Sequence, residues 1–337
     1  MRVRILNAEP EGYCDEARTV LRELGELTEE PVPQERLAAR ARDFEVLIVR
    51  LGLRVTEEVL DGARALRAVV TATTGMDHID VAAAADRGVA VLSLRGETEF
   101  LRTIPATAEH TWALLLALVR HLPWAFDDVR NGAWERNRFR GRDLAGRRLG
   151  ILGLGRIGER IARYGLAFGM TTGAYDPYRQ GWLDGVERVA TLESLLAWSE
   201  VLSVHLPLND ETRGLLGRER LALLPRGALV INTARGAVLD EQALVALLEA
   251  AHLGGAAVDV LADEQLRDQL MANPIIRYAK AHTNLLVTPH IGGATWDSMG
   301  RTEVFMAEKL RHFLSQGAAG TKAGGRKTVG EVRLSGA

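Results

Sequence analysis

The stretch Leu149-Gly150-Ile151-Leu152-Gly153-Leu154-Gly155-Arg156-Ile157-Gly158 decides how this chain is read. It opens on a short apolar run of the kind that forms a buried strand, and a helix is expected to follow through Ile161, Ala162, Tyr164 and Leu166 towards Phe168. In such a loop the first glycine permits a tight turn, the second lets the backbone approach a pyrophosphate, and the third allows close packing of helix on strand. The helix N-terminus adds free N–H groups and positive potential. A G-x-G-x-x-G string alone is weak evidence; a strand before it and a helix behind it strengthen it. Asp176, in Gly173-Ala174-Tyr175-Asp176-Pro177, follows about 20 residues on at the end of the next strand, where a carboxylate hydrogen-bonds an adenosine ribose. Together these features favour a dinucleotide site over a glycine turn that merely packs a helix. A carboxylate at that position repels the 2′-phosphate of NADP and accepts from both ribose hydroxyls of NAD, so NAD is the expected cofactor. Arg179 nearby is read as a solvated loop residue.

Outward from this loop, short apolar runs alternate with helical stretches, the signature of parallel sheets with crossover helices and hence of the α/β class. One series of strands is expected at 3–6, 23–28, 46–49, 68–71 and 89–92, and a second at 149–152, 172–175, 201–204, 228–232, 256–259 and 285–288. Six strands suit a full doubly wound nucleotide-binding sheet, so two domains are expected. Between the series, the segment 106–122 is apolar on nearly every side and is read as a buried connector and hinge. The glycine-rich segment 317–337 shows no period of either kind and is read as a flexible tail.

Composition narrows the function classes. With 47% hydrophobic and 26% charged residues, the 337-residue chain is of ordinary globular type, with room for about two domains. Its longest wholly apolar run, 112–119, is far short of the roughly 18 residues of a spanning helix, and no membrane segment is expected. No sustained apolar stretch follows the charged start Met1-Arg2-Val3-Arg4, so no secretory signal is expected and a cytoplasmic location is inferred. The single cysteine, Cys14, agrees with a reducing compartment. Forty-two basic against 44 acidic residues leave no excess charge to hold a nucleic acid. His78 sits among carboxylates, but one histidine without a partner at ligand spacing does not make a metal site, and none is predicted.

Three later segments place polar residues immediately after strands, where open parallel sheets put their ligands. They are Ile231-Asn232-Thr233-Ala234-Arg235-Gly236, Val258-Asp259-Val260-Leu261-Ala262-Asp263-Glu264 and Val287-Thr288-Pro289-His290-Ile291-Gly292-Gly293. Singly, Arg235 reads as a surface ion pair, Glu264 as a solvated carboxylate and His290 as a satisfied structural histidine. Their shared placement argues for a site.

With these segments, the glycine loop, and His205-Leu206-Pro207-Leu208 followed by Thr212, the chain over about 47–313 resembles the D-isomer-specific 2-hydroxyacid dehydrogenases. The resemblance implies two Rossmann-like, doubly wound parallel-sheet domains. The cofactor domain, 107–291, would be inserted in a flavodoxin-like substrate domain, 1–106 and 292–316. Hydride transfer to a 2-oxo acid builds negative charge on the carbonyl oxygen, so the chemistry needs a cation and a proton donor. By resemblance Arg235 is the cation, whose planar fork grips a carboxylate at two points. His290 is the acid–base group, because imidazole titrates nearest neutrality, and Glu264 orients it and favours its charged form. The resemblance further implies cofactor contacts from Thr74, Gly153, Gly155, Arg156, Ile157, Gly158, Asp176, Leu206, Pro207, Thr212, Thr233, Ala234, Arg235, Asp259, His290 and Gly292, with Asp259 holding the nicotinamide amide. In Thr74-Gly75-Met76-Asp77-His78-Ile79-Asp80 it implies a substrate loop whose N–H groups around Gly75 and Met76 receive the carboxylate, while a turn capped by Asp77 also accounts for those residues.

The chain departs from the family pattern in a longer, more charged loop at 94–107 and in a longer segment at 265–282 that carries Arg267, Arg277, Lys280 and His282. Arg50, with Arg95 and Arg102 of the first loop, is a candidate to bind a second anionic group on the substrate, although pairing with Glu97 and Glu99 explains the loop arginines equally well. The apolar segment 106–122 and the adjoining Asn131-Gly132-Ala133-Trp134 offer surface that a monomer would expose, and since the family pairs through its cofactor domains a homodimer is expected. The chain ends before the appended regulatory domains of some relatives, so serine feedback is not expected. The activity expected is that of an NAD-dependent D-2-hydroxyacid dehydrogenase or 2-oxoacid reductase. Phosphoglycerate dehydrogenase is the alternative within the class, and an NADH-sensing, corepressor-like binding protein the alternative outside it.

Overall fold

A computed structural model describes residues 2–264 and 270–320, and the chain divides into two units, one inserted in the other. The outer unit runs to Thr103 and resumes at Thr295; the inserted unit is Ile104–Ala294.

In the outer unit, β1 (Val3–Asn7), β2 (Gly25–Glu29), β3 (Val46–Ile48), β4 (Ala68–Val70) and β5 (Ala90–Leu92) pair in parallel in the order β2-β1-β3-β4-β5. This is the flavodoxin-like doubly wound order. Alternate residues of the central strands enter separate cores, Leu47 and Val69 on one face and Val46, Ile48, Ala68 and Val70 on the other, as a sheet covered by helices on both sides requires. β2 starts directly behind the helix Asp15–Leu24 at Gly25, where a Cβ would lie 2.0 Å from the Val3 carbonyl oxygen. The expected strand start at 23 is therefore two residues early, since the helix keeps residues 23 and 24.

The helix Trp296–Gly320 returns the chain to this unit, packing Met306, Ala307 and Leu310 into the same core as β3 and β4. It is also tied by charge. The Lys309 ammonium, almost fully buried, donates to the Ser93 carbonyl (2.9 Å) and pairs with the buried Glu97 behind β5. The helix continues to Gly320, so the first four residues of the expected tail are helical, and the rest of it lies outside the described residues.

The inserted unit holds seven parallel strands, β6 (Arg148–Leu152), β7 (Thr171–Tyr175), β8 (Val186–Arg188), β9 (Val201–Val204), β10 (Ala228–Asn232), β11 (Leu253–Val258) and β12 (Leu285–Val287), in the order β12-β11-β10-β9-β6-β7-β8. Read from β8, this is the dinucleotide-binding order with one strand added at the far edge. β8 escapes the sequence pattern because it has three residues and buries only Val186. β11 begins three residues earlier than expected, since Gly254 and Gly255 conceal it; at Gly254 a Cβ would stand 2.5 Å from the Gly227 carbonyl oxygen.

The helix Ala106–Val119, expected as a hinge between the sheets, is part of the inserted unit's core. Trp112, Leu115 and Leu118 pack with Leu149, Ile151 and Ile161, and the Trp112 ring meets Tyr164 and Phe168 edge-on at 5.8 and 5.0 Å. The apolar surface expected from it is carried instead by the next helix, Leu122–Arg130, and the segment behind, where Phe126 is 67% and Trp134 85% exposed.

Breaking the Lys309–Glu97 pair leaves a buried charge uncompensated. Glu97→Gln should lower the stability of the outer unit by about 3 kcal/mol, and Glu97→Leu with Lys309→Met should recover much of the loss. Urea titrations of the single and double variants measure both effects.

Candidate active site

The glycine loop lies between β6 and the helix Arg156–Ala167, where the strand order reverses and doubly wound sheets open towards ligand. Gly153 has φ +90°, and a Cβ there would lie 2.6 Å from the His205 carbonyl oxygen; at Gly158 it would stand 2.2 Å from the Gly153 carbonyl oxygen. At Gly155 nothing among the described residues lies within 4 Å of an added Cβ. The protein's own packing thus requires the first and third glycines, while the second faces open space at the helix N-terminus, a cradle that fits a pyrophosphate. Asp176 accepts from the Leu154 and Tyr178 N–H groups at 2.9 and 3.0 Å, which uses about half of a carboxylate's acceptor capacity. Arg179 is not the solvated residue expected: it donates to the Leu154 carbonyl (2.6 Å) and pairs with Glu159, bracing the loop. Arg156 opens the helix, its guanidinium lowered by burial and by Arg160, and Ile157 packs on the core beneath.

The loop behind β9 is held by Thr212, whose hydroxyl donates to the Pro207 carbonyl (2.6 Å) and accepts from the Asn209 N–H (2.9 Å). Leu206 reaches within 3.0 Å of a Cβ built on Gly153. His205 meets the Ser203 hydroxyl through Nε2 at 2.8 Å, while its buried Nδ1 has no hydrogen-bond partner among the described residues. Burial pushes its pKa down to about 3, so it stays neutral beside the glycine loop.

Behind β10, the Asn232 side chain closes a turn by accepting from the Ala234 N–H and donating to the Arg235 carbonyl, both at 3.0 Å. Thr233 is buried against the Thr111 hydroxyl (2.7 Å). Arg235 donates from Nη1 to the Ala234 carbonyl (2.7 Å). A Cβ on Gly236 would come within 2.0 Å of the Leu261 carbonyl carbon and 2.2 Å of the Ala262 nitrogen. The Arg235 segment and the turn carrying Glu264 therefore meet backbone to backbone. Glu264 accepts from the Leu261 N–H at 3.2 Å, and its other oxygen meets Nδ1 of His290. Asp263 and His290 both adopt left-handed backbone, each with φ 54°. Such positions cost about 1–3 kcal/mol and persist only where surrounding structure enforces them.

Asp259 supplies much of that enforcement. Almost fully buried at the end of β11, its Oδ1 accepts from the Thr288 hydroxyl (2.6 Å) and the Ile291 N–H (2.9 Å), and its Oδ2 from the Gly292 N–H (2.7 Å). Its carbonyl accepts from the His290 N–H (2.8 Å). Burial alone would raise the carboxyl, but hydrogen bonds from His110, Thr288, Ile291 and Gly292 outweigh it and hold the group below the usual carboxylate range. The expected ligand residue is thus also the post on which the His290 turn is built. His110, 3.2 Å from Asp259 Oδ1 and 3.1 Å from the Thr288 hydroxyl, was missed in the sequence; an imidazole just ahead of the apolar run of its helix was the available signal.

The remaining expected residues lie in the outer unit. In the loop behind β4, the Thr73 hydroxyl donates to the Gly75 carbonyl (2.7 Å) and the Ile79 N–H to the Met76 carbonyl (2.9 Å), leaving Thr74 between them half-buried. His78 is buried against the Thr71 hydroxyl (3.3 Å). The following helix is capped by Asp80, which accepts from the Ala83 N–H (2.9 Å), and not by Asp77. Arg50 corrects an expectation. Its guanidinium pairs with the buried Glu303, donates to the Glu11 carbonyl (2.7 Å) and lies over the Tyr13 ring, so turning to a substrate anion would strand a buried carboxylate. Arg102 pairs with Glu99 at 2.9 Å on the surface, and Arg95 is exposed.

Comparison with known proteins places the chain. The family model described as D-isomer specific 2-hydroxyacid dehydrogenase, NAD binding domain, matches residues 112–292. D-3-phosphoglycerate dehydrogenase of Methanocaldococcus jannaschii is 34% identical over 93% of this chain and 57% of its own length. Hydroxypyruvate reductase of Thermotoga maritima is 33% identical over 85% of this chain and 90% of its own. The chain spans about half the length of the phosphoglycerate dehydrogenases it matches. Among solved structures, D-lactate dehydrogenase from Aquifex aeolicus, complexed with NAD and lactic acid, superposes with a TM-score of 0.78 at 28% identity, covering 95% of this chain and 97% of that one. The chain therefore belongs to the D-isomer-specific 2-hydroxyacid dehydrogenase family, and its inserted unit carries that family's NAD-binding domain.

Proposed function

We propose that this chain is an NAD-dependent D-2-hydroxyacid dehydrogenase, interconverting a 2-oxo acid and its D-2-hydroxy acid. The observation that carries the reading is the pairing of Glu264 with Nδ1 of His290 on a turn packed against the Arg235 segment. NADH bound at the glycine loop would supply the hydride. Gly155 and the helix N-terminus would hold the pyrophosphate, Asp176 the adenosine ribose, and Asp259 Oδ2, which accepts one N–H among the described residues, the nicotinamide amide. Arg235 would bind the substrate carboxylate and stabilise the carbonyl oxygen as it gains charge. With Nδ1 committed to Glu264, His290 would deliver its proton from Nε2 to that oxygen and recover it in the reverse direction. A second anionic group is not part of the proposal, because Arg50 is occupied by Glu303.

A homodimer paired through the inserted unit is proposed on the exposure of Phe126, Val129 and Trp134, an apolar patch that a monomer leaves in water.

Absorbance assays with a panel of 2-oxo acids, among them hydroxypyruvate and pyruvate, test the activity and name the substrate. NADH should be preferred over NADPH, and Asp176→Ala should weaken NADH binding while relaxing the discrimination; equal turnover with NADPH in the wild type counts against the assignment.

His290→Ala should cut turnover roughly a hundredfold or more with little change in NADH affinity, whereas Arg235→Ala should raise the substrate KM as well as lower kcat. In Glu264→Gln kcat should fall with NADH affinity kept, because the imidazole loses the carboxylate that orients its ring.

Sedimentation at micromolar concentration should show a dimer, and Phe126→Glu with Trp134→Glu should shift it to monomer.

A further inference from the structure

We propose that Glu241 is a positioning residue for the acid–base pair, clamping the turn that carries Glu264. The inference rests on the acid–base reading above and deepens it. Glu241 is the first residue of the helix Glu241–Glu249, behind Asp240, whose side chain caps the helix by accepting from the Ala243 N–H at 3.0 Å. An acidic residue there ordinarily faces water and complements the helix dipole. Glu241 instead turns both oxygens to other parts of the chain: Oε1 accepts from the Ala262 N–H and Oε2 from Nδ2 of Asn273, each at 2.7 Å. Asn273 in turn caps the helix Pro274–Ala279, accepting from the Ile275 N–H at 2.8 Å, and that helix buries Ile275 and Tyr278. One carboxylate therefore joins the chain just before Glu264 to the anchored helix beyond it, within the segment that is longer than the family pattern.

The turn needs such a clamp. Asp263 holds left-handed backbone, and Glu264 must keep one oxygen on the Leu261 N–H and the other on His290. Gly236 supports the turn through its backbone, and Glu241 holds the Ala262 N–H. Both partners of Glu241 are N–H donors, so only the ionised carboxylate satisfies both; a carboxylic acid or an amide turns a donor towards one of them. Burial raises the Glu241 carboxyl, the Ala262 and Asn273 hydrogen bonds oppose that shift, and the charges of Asp263 and Asp240 add to it. The clamp is thus lost on acidification at a higher pH than an ordinary carboxylate would allow.

The test measures kcat, KM and the pH profile of NADH-dependent reduction, with the panel's best 2-oxo acid, for Glu241→Gln, Glu241→Gln with Asn273→Asp, Glu264→Gln and His290→Ala. NADH affinity by fluorescence and the unfolding midpoint are followed beside them. Glu241→Gln should lower kcat roughly ten- to hundredfold with NADH affinity unchanged, and should remove from the acid limb the step that protonation of Glu241 causes. The double variant should restore kcat, because the glutamine amide then donates to the aspartate while its oxygen still accepts from the Ala262 N–H. Wild-type kcat and pH profile in Glu241→Gln overturn the proposal. So does a fall in kcat with an unmoved profile and no recovery in the double variant, the outcome of a purely structural role. Unchanged turnover in His290→Ala sinks the acid–base reading itself and this proposal with it, a result distinct from loss in His290→Ala and Glu264→Gln beside an unaltered Glu241→Gln.

Discussion

All seven strands of the inserted sheet run parallel, and the placement of the site residues that this unit carries follows from that constraint. Parallel strands send their carboxyl ends to one edge, and the crossover helices return the chain beneath. The glycine loop behind β6, Asp176 behind β7, Leu206 and Pro207 behind β9, Arg235 behind β10, Asp259 at the end of β11 and His290 behind β12 accordingly occupy one edge although they are spread over much of the sequence. Register does the finer work. β10 pairs with β11 so that Asn232 stands beside Val258, and the two turns carrying Arg235 and Glu264 leave the sheet side by side.

Within that edge, the turns carrying Glu264 and His290 are shaped by groups with no expected contact to a substrate. The buried Asp259 gathers Thr288, Ile291 and Gly292 around the left-handed His290, Gly236 admits the Leu261–Ala262 backbone, and Glu241 holds Ala262 and Asn273. A charged hydrogen bond in a dry site is worth roughly twice a neutral one, which suits carboxylates to enforcing backbone that would otherwise relax. The same logic separates the two carboxylates nearest His290: Asp259 fixes its main chain, and Glu264 its ring.

The outer unit uses charge for a different end. Because the inserted domain interrupts it, its last helix must find the sheet after a long excursion, and the buried pairs Lys309 with Glu97 and Glu303 with Arg50 join it to segments behind strands. These ties occupy the cations and anions that composition alone offers as ligands. A charged residue behind a strand is therefore ambiguous until its partner is known.

The sequence by itself determined the α/β class and the two series of strands, and it marked the glycine loop, Asp176, Arg235, Glu264 and His290 as candidates, because each is a local pattern: a period, a turn that demands glycine, or a polar residue behind a strand. It did not reveal β8, whose three residues are too few to show a period, nor the core position of the helix Ala106–Val119, since an apolar helix looks the same against either sheet. Only the tertiary structure decided that Arg50 is paired with Glu303, that Arg179 braces the glycine loop, that His110 supports Asp259 and that Glu241 grips the turn before Glu264. Those partners lie from about 20 to about 250 residues apart along the chain, and a side chain's partner at such separation is set by how helices and strands pack, which no local pattern encodes.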